Sequence, residues 1–137
     1  MYIADLSTNA YFATGDVLRA VGWLEADETY QQGAVPAGFL DQLKHHISAA
    51  YQPMILMGVH FCSLCPQGQR KHGNDNLLVP TETLLYVAPA MIGHYIEDHG
   101  YRPPQEFVEA LMACPQQNSS GYLALLRPYE RYWTQRA

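Results

Sequence analysis

The chain has 137 residues, 48% hydrophobic and 15% charged, and 13 acids against 8 bases leave a formal net charge of −5. That length suits one domain over residues 1–137 with a core of its own and excludes disordered, collagen-like and coiled-coil classes. The acid surplus lies early, where Asp5, Asp16, Glu25, Asp27, Glu28 and Asp41 face Arg19 alone before Lys44, so a phosphate-binding basic surface is not expected.

No stretch approaches the roughly 18 apolar residues of a membrane span, and the start lacks a secretion signal, which predicts a cytoplasmic chain. Tyr2-Ile-Ala-Asp-Leu-Ser7 and Ala20-Val-Gly-Trp-Leu24 have the composition of short strands. Pro36 suits a first helical position, and Phe39, Leu40, Leu43 and Ile47 recur at helical spacing through Ala50, predicting an amphipathic helix of about four turns. His45 and His46 ride on it as surface or packing residues. Met54-Ile-Leu-Met-Gly-Val-His-Phe61 is an apolar run of strand length leading into Cys62, and the polar residues 67–76 read as a loop.

Leu77-Leu-Val-Pro80 and Thr83-Leu-Leu-Tyr-Val87 form a second pair of strands. Pro89 is expected to open a helix with Met91, Ile92, Tyr95 and Ile96 on one stripe, and Gly100 suits its left-handed end. Pro103 and Pro104 start another, with Phe107, Val108, Leu111 and Met112 on one face and Pro115 after it. Ser119 or Ser120 can cap a last helix carrying Tyr122, Leu123, Leu125, Leu126 and Tyr129. The interleaved Arg127, Tyr129, Arg131, Tyr132, Trp133 and Arg136 read as a terminal amphipathic helix packing its rings, in preference to a nucleic-acid surface. The order predicts an α+β fold, a small antiparallel sheet with about four helices, rather than a βαβ parallel sheet.

Chemistry concentrates in His60-x-Cys62-x-x-Cys65, followed after 28 residues by His94-x4-His99. Zinc takes four nitrogen or sulfur ligands in a tetrahedron; two thiolates from one tight turn fill adjacent vertices, and two helix-borne histidines can fill the others. The expected ligands are Cys62, Cys65, His94 and His99, with one Zn2+ per chain. On a regular helix, residues five apart differ by roughly 140° in direction, so both histidines reach one ion only if the last turn tightens or unwinds. His60, Cys114, Asp98 or water are the alternatives for the fourth position.

The competing readings of the cysteines are a redox pair or two buried small hydrophobes. Pro66 and Gly68 follow the second cysteine, where a redox pair would gain from a helix N-terminus. Glu97 and Asp98 between the histidines raise the alternative of a zinc hydrolase. The segment matches neither HExxH nor HxxEH, and a four-ligand shell is closed, so a structural metal is the first expectation. No phosphate loop, nucleophile elbow or dinucleotide fingerprint is present. The ten tyrosines are expected to be mostly half-buried packing residues.

Tyr2-Ile-Ala-Asp-Leu-Ser7, Val21-Gly-Trp-Leu24, Gly58-Val-His-Phe-Cys-Ser-Leu-Cys65 and the long block Tyr86–Pro104 with Phe107 together carry the pattern YxDLS, VGWL, HxCxxC and YxAPxxIxHYIxxHxYxPPxxF. The chain in this respect resembles a family of small uncharacterised bacterial proteins, a domain of unknown function. The resemblance covers most of residues 2–115 and implies a bacterial origin and a shared role for His60, Cys62, Cys65, His94 and His99. It supplies no activity and no catalytic residue, and Cys114 lies outside its pattern. The expectation is a zinc-stabilised protein that acts by binding another protein, with the hydrolase as the alternative.

Overall fold

The computed structural model describes residues 1–54, 60–66, 72–73 and 75–134, the side chains of His60 and His72 excepted. In chain order its elements are β1 (Leu18–Ala20), α1 (Phe39–Ser48), β2 (His60–Phe61), β3 (His72–Gly73), β4 (Asn76–Pro80) and β5 (Leu85–Pro89). These are followed by α2 (Ile92–His99), α3 (Gln105–Ala113), α4 (Ser120–Leu126), a 3-10 turn (Arg127–Tyr129) and α5 (Arg131–Thr134).

Two apolar runs make the centre. β4 and β5 are buried along their whole length, as strands covered on both faces are, and pair antiparallel from Asn76↔Pro89 to Pro80↔Leu85. Thr81 closes the hairpin: its N–H and hydroxyl both reach the Leu84 carbonyl, at 2.8 and 3.0 Å. That turn consumes Thr83 and Leu84, so β5 starts two residues later than the composition suggests. β1 lies on the other side of β5 and runs parallel to it, Leu18↔Leu85 to Ala20↔Val87. The α+β class holds, but the sheet is mixed, not purely antiparallel. The long connection from β1 to β5, which carries α1, leaves room for a parallel return.

Helix ends follow local chemistry. Gly38 has a φ of 82°, and this left-handed residue delays α1 to Phe39, so Pro36 does not open it and the helix is three turns rather than four. Pro89 likewise ends β5 and does not start α2. Pro104 precedes α3 as expected, with Phe107, Val108 and Leu111 buried, whereas Met112 is 42% exposed. Ser119 caps α4, its hydroxyl accepting from the Tyr122 N–H at 3.2 Å. Pro128 lies in the 3-10 turn that follows, which carries Tyr129, and Leu123 faces outward.

The early strands differ most. Residues 2–7 form no strand; Ile3 makes one bridge to Trp23, and Leu6 turns the chain with a φ of 67°. Ala20 is the last strand residue, although the Val21 N–H still reaches the Val87 carbonyl at 3.0 Å. The run expected over 54–61 falls largely on 55–59, outside the described residues; its end is β2, paired antiparallel with β3. The polar stretch 67–76 therefore contains strand at His72–Gly73, and Asn76 already belongs to β4.

Buried tyrosines tie these layers together, as the packing reading expected. The Tyr122 and Tyr129 hydroxyls donate to the carbonyls of Leu78 at 2.8 Å and Thr81 at 2.7 Å, and Tyr86 donates to Glu106 at 2.6 Å. Trp133 is buried and meets Phe12 edge-on at 6.2 Å, which seats the C-terminal rings on the core. Among the described residues no helix is long and apolar enough to cross a membrane.

Candidate metal centre

The chain leaves β2 directly into Cys62 and makes a tight turn, the Cys65 N–H meeting the Cys62 carbonyl at 3.3 Å. Two sulfurs from one such turn sit side by side and point the same way. α2 supplies the opposite wall. It packs its Ile92, Gly93, Tyr95 and Ile96 face inward and carries His94 on the flank and His99 at its end.

The end of α2 brings the two histidines together despite the five-residue spacing. The helix is α through His99, and as the chain leaves it the Tyr101 N–H reaches back to the Tyr95 carbonyl at 3.2 Å. Gly100 permits the exit with a φ of 66°, the left-handed end read from the sequence. Tyr30 then fixes the helix end by donating its hydroxyl to the His99 carbonyl at 2.9 Å.

One ligand atom each from Cys62, Cys65, His94 and His99 lies within 4.8 Å of all the others, a spacing that can hold a metal ion. Cys65 Sγ is 3.1 Å from His94 Nε2 and 3.5 Å from His99 Nε2, and Cys62 Sγ is 3.5 Å from His99 Nε2. The imidazoles stand edge to face at 88°, centroids 4.9 Å apart. Cys62 is fully buried and the other three are half-buried. Burial pushes the Cys62 thiol up, the Leu64 amide pulls against it, and the Cys65 sulfur alongside pushes it further.

The donor chemistry fits a borderline-soft cation such as zinc. His94 Nδ1 lies 3.0 Å from Asp98 Oδ2, one helical turn on. An Nδ1–H held by a carboxylate leaves Nε2 as the free lone pair, on the side where the sulfurs stand. Asp98 is therefore a support behind His94, outside the group of four. Its i,i+4 spacing from His94 made that role readable in the sequence; nothing in the sequence pointed to Tyr30. Glu97 turns to α1, where it meets Lys44 at 2.7 Å.

Of the other residues weighed for the fourth position, the His60 side chain lies outside the described residues. Cys114 caps α3 and lines a separate cavity with Asp41, His45 and His46, not the cluster. Burial pushes its thiol up to about 12. His46 is buried and meets Gln117 at 3.2 Å, a packing role; His45 faces solvent.

Ser63, between the two cysteines, links the knuckle to the acidic third of the chain. Its hydroxyl accepts from the Ala26 N–H at 2.9 Å and donates to Glu25 at 2.8 Å. The loop bearing Glu25, Asp27 and Glu28 is thereby held beside the cluster. No curated protein and no solved structure matches the chain. A family match covers residues 1–112, which include the four clustered residues and everything that positions them: the chain belongs to the family described as Domain of unknown function (DUF7919).

Proposed function

We propose that Cys62, Cys65, His94 and His99 hold one structural Zn2+ per chain, and that the protein acts by binding a basic protein partner. The observation that carries the metal half is the convergence of four nitrogen and sulfur donors from a knuckle and a helix, with His94 oriented by Asp98. Such an ion would pin the β2 end of the structure to α2. A hydrolase would need an open coordination position and a carboxylate base, and the carboxylates near the cluster are engaged: Glu97 with Lys44, Asp98 with His94 Nδ1, and Glu25 with Ser63 and the N-terminal ammonium. The structural reading is preferred on that ground.

The partner half is supported by charge and its placement. Asp27 and Glu28 are exposed on a loop fixed to the knuckle through Ser63, and Phe61, immediately before Cys62, is 58% exposed. A fixed acidic loop beside an exposed ring suits a basic surface with an apolar contact.

Elemental analysis tests the metal half. About one zinc per chain, lost in Cys62→Ser and retained in Cys114→Ser, is the expected result. Protein purified without chelator and free of metal would return Cys62 and Cys65 to redox or packing roles. The partner half predicts association that weakens with salt and is lost in Asp27→Lys with Glu28→Lys. Association indifferent to both would remove it.

A further inference from the structure

The metal centre makes no use of Asp5, although the chain is folded around it. Its Oδ1 accepts from the Gly22 N–H at 3.0 Å and its Oδ2 from the Tyr101 hydroxyl at 2.8 Å. Both donors are neutral, and no ion pair among the described residues engages this carboxylate. Each oxygen keeps a lone pair beyond the bond it makes. Burial pushes the Asp5 carboxyl up, against those two bonds.

A cavity of about 240 Å³ opens on Asp5, lined also by Tyr2, Leu24, Thr29, Tyr30 and Gln31, with no basic residue in its walls. It is smaller than the roughly 300–1,000 Å³ of sites that enclose a whole small molecule. We infer that this cavity receives the ammonium or guanidinium head of a lysine or arginine side chain presented by the protein partner. The inference deepens the partner reading and rests on it, but does not involve the metal.

Charge selects the sign of the occupant. Asp5 is the cavity's own charge, and the exposed Asp27 and Glu28 lie on the loop that follows Leu24, so an anion is disfavoured. A bare calcium or magnesium ion is disfavoured as well, since these ions take six or more oxygen ligands and one carboxylate supplies at most two. Tyr2 and Tyr30 bring aromatic rings to the lining, which favours an organic cation with a CH2 stem over a hydrated ion. A cation there would meet the carboxylate it lacks, and the surrounding acids would steer a basic surface toward it.

The test is a 1H–15N titration of the zinc-loaded full chain with Nα-acetyl-arginine amide and Nα-acetyl-lysine amide. Nα-acetyl-citrulline amide serves as the neutral counterpart and butylammonium as a free amine. Expected are shifts at the Asp5, Thr29 and Gln31 amides with a capped basic residue and none with citrulline. Asp5→Asn, folded with unchanged metal content, should bind at least about tenfold more weakly. Tyr2→Ala, at a 41% exposed position, should weaken binding several-fold and serves if Asp5→Asn fails to fold. Equal shifts with citrulline, binding unaffected in either variant, or binding of butylammonium alone would each overturn the inference. Were the partner still lost on Asp27→Lys, the partner reading would stand without the cavity.

Discussion

A neutral imidazole offers a metal one nitrogen, and the group held by the other nitrogen decides which one it is. At His94 that group is Asp98, 3.0 Å from Nδ1. Asp98→Ala should leave the four donors in place yet lower metal affinity by about 10–100-fold in competition with a chromogenic chelator, the usual effect of losing such support. Glu97→Ala, which removes only the exposed contact with Lys44, should leave affinity unchanged. Asp5 gives the residue scale a pH dependence. Burial raises its pKa above the ordinary carboxylate value of 3.8, so folding favours the protonated form. Its contribution is most favourable below 3.8 and is lost as pH rises through the folded value; at neutral pH the buried charge costs stability. Asparagine can accept from Gly22 and donate to the Tyr101 oxygen without that charge. Asp5→Asn should therefore be at least as stable as the parent in denaturant at pH 7, with the advantage shrinking as pH falls toward 3.8. A large loss at pH 7 would show that the two hydrogen bonds outweigh the burial.

Among the elements, the end of α2 makes the sharpest prediction. A Cβ on Gly100 would meet nothing within 4 Å, so any cost of substitution there is conformational, from its φ of 66°. Gly100→Ala should lose about 1–2 kcal/mol in thermal or denaturant melts, and Gly100→Asn should recover part of it, since asparagine tolerates the left-handed region. Elements bounded by such punctuation were legible in the sequence: Gly100 ends α2, Pro104 precedes α3 and Ser119 caps α4. That Cys62, Cys65, His94 and His99 come together was legible too, because knuckle spacing and a histidine pair are local. What sequence reading missed depends on partners far along the chain. Residues 2–7 look like a strand, but Asp5 answers to Tyr101, 96 residues away, and the segment bends to reach it. The two histidines of α2 were expected to meet only if its last turn tightened or unwound, yet the helix is α through His99 and they still come together.

At the scale of the whole molecule the cluster joins parts the core alone holds loosely. β2 and β3 are two residues each, and a two-stranded hairpin is marginal by itself. Apparent affinities of structural zinc in small peptides correspond to about 10–16 kcal/mol, on the scale of a domain's entire stability. Chelation should lower the melting temperature or precipitate the protein, and added zinc should restore it. Cys62→Ser and Cys65→Ser should behave as the chelated protein does, and normal melting of both would exclude a structural ion.

The pairing of β1 with β5 also bears on how the chain is made. During synthesis the first two dozen residues emerge early, but the groups that place them come much later. Trp23 donates its indole N–H to the Val87 carbonyl at 3.0 Å, and Asp5 waits for Tyr101. Until then the segment has no sheet to join, and apolar residues such as Ile3, Val21 and Trp23 stand exposed beside the ribosome. Six acids against one base before Lys44 keep such an unpartnered chain hydrated and self-repelling while it waits. The N-terminal charge thus has work to do before the protein is folded.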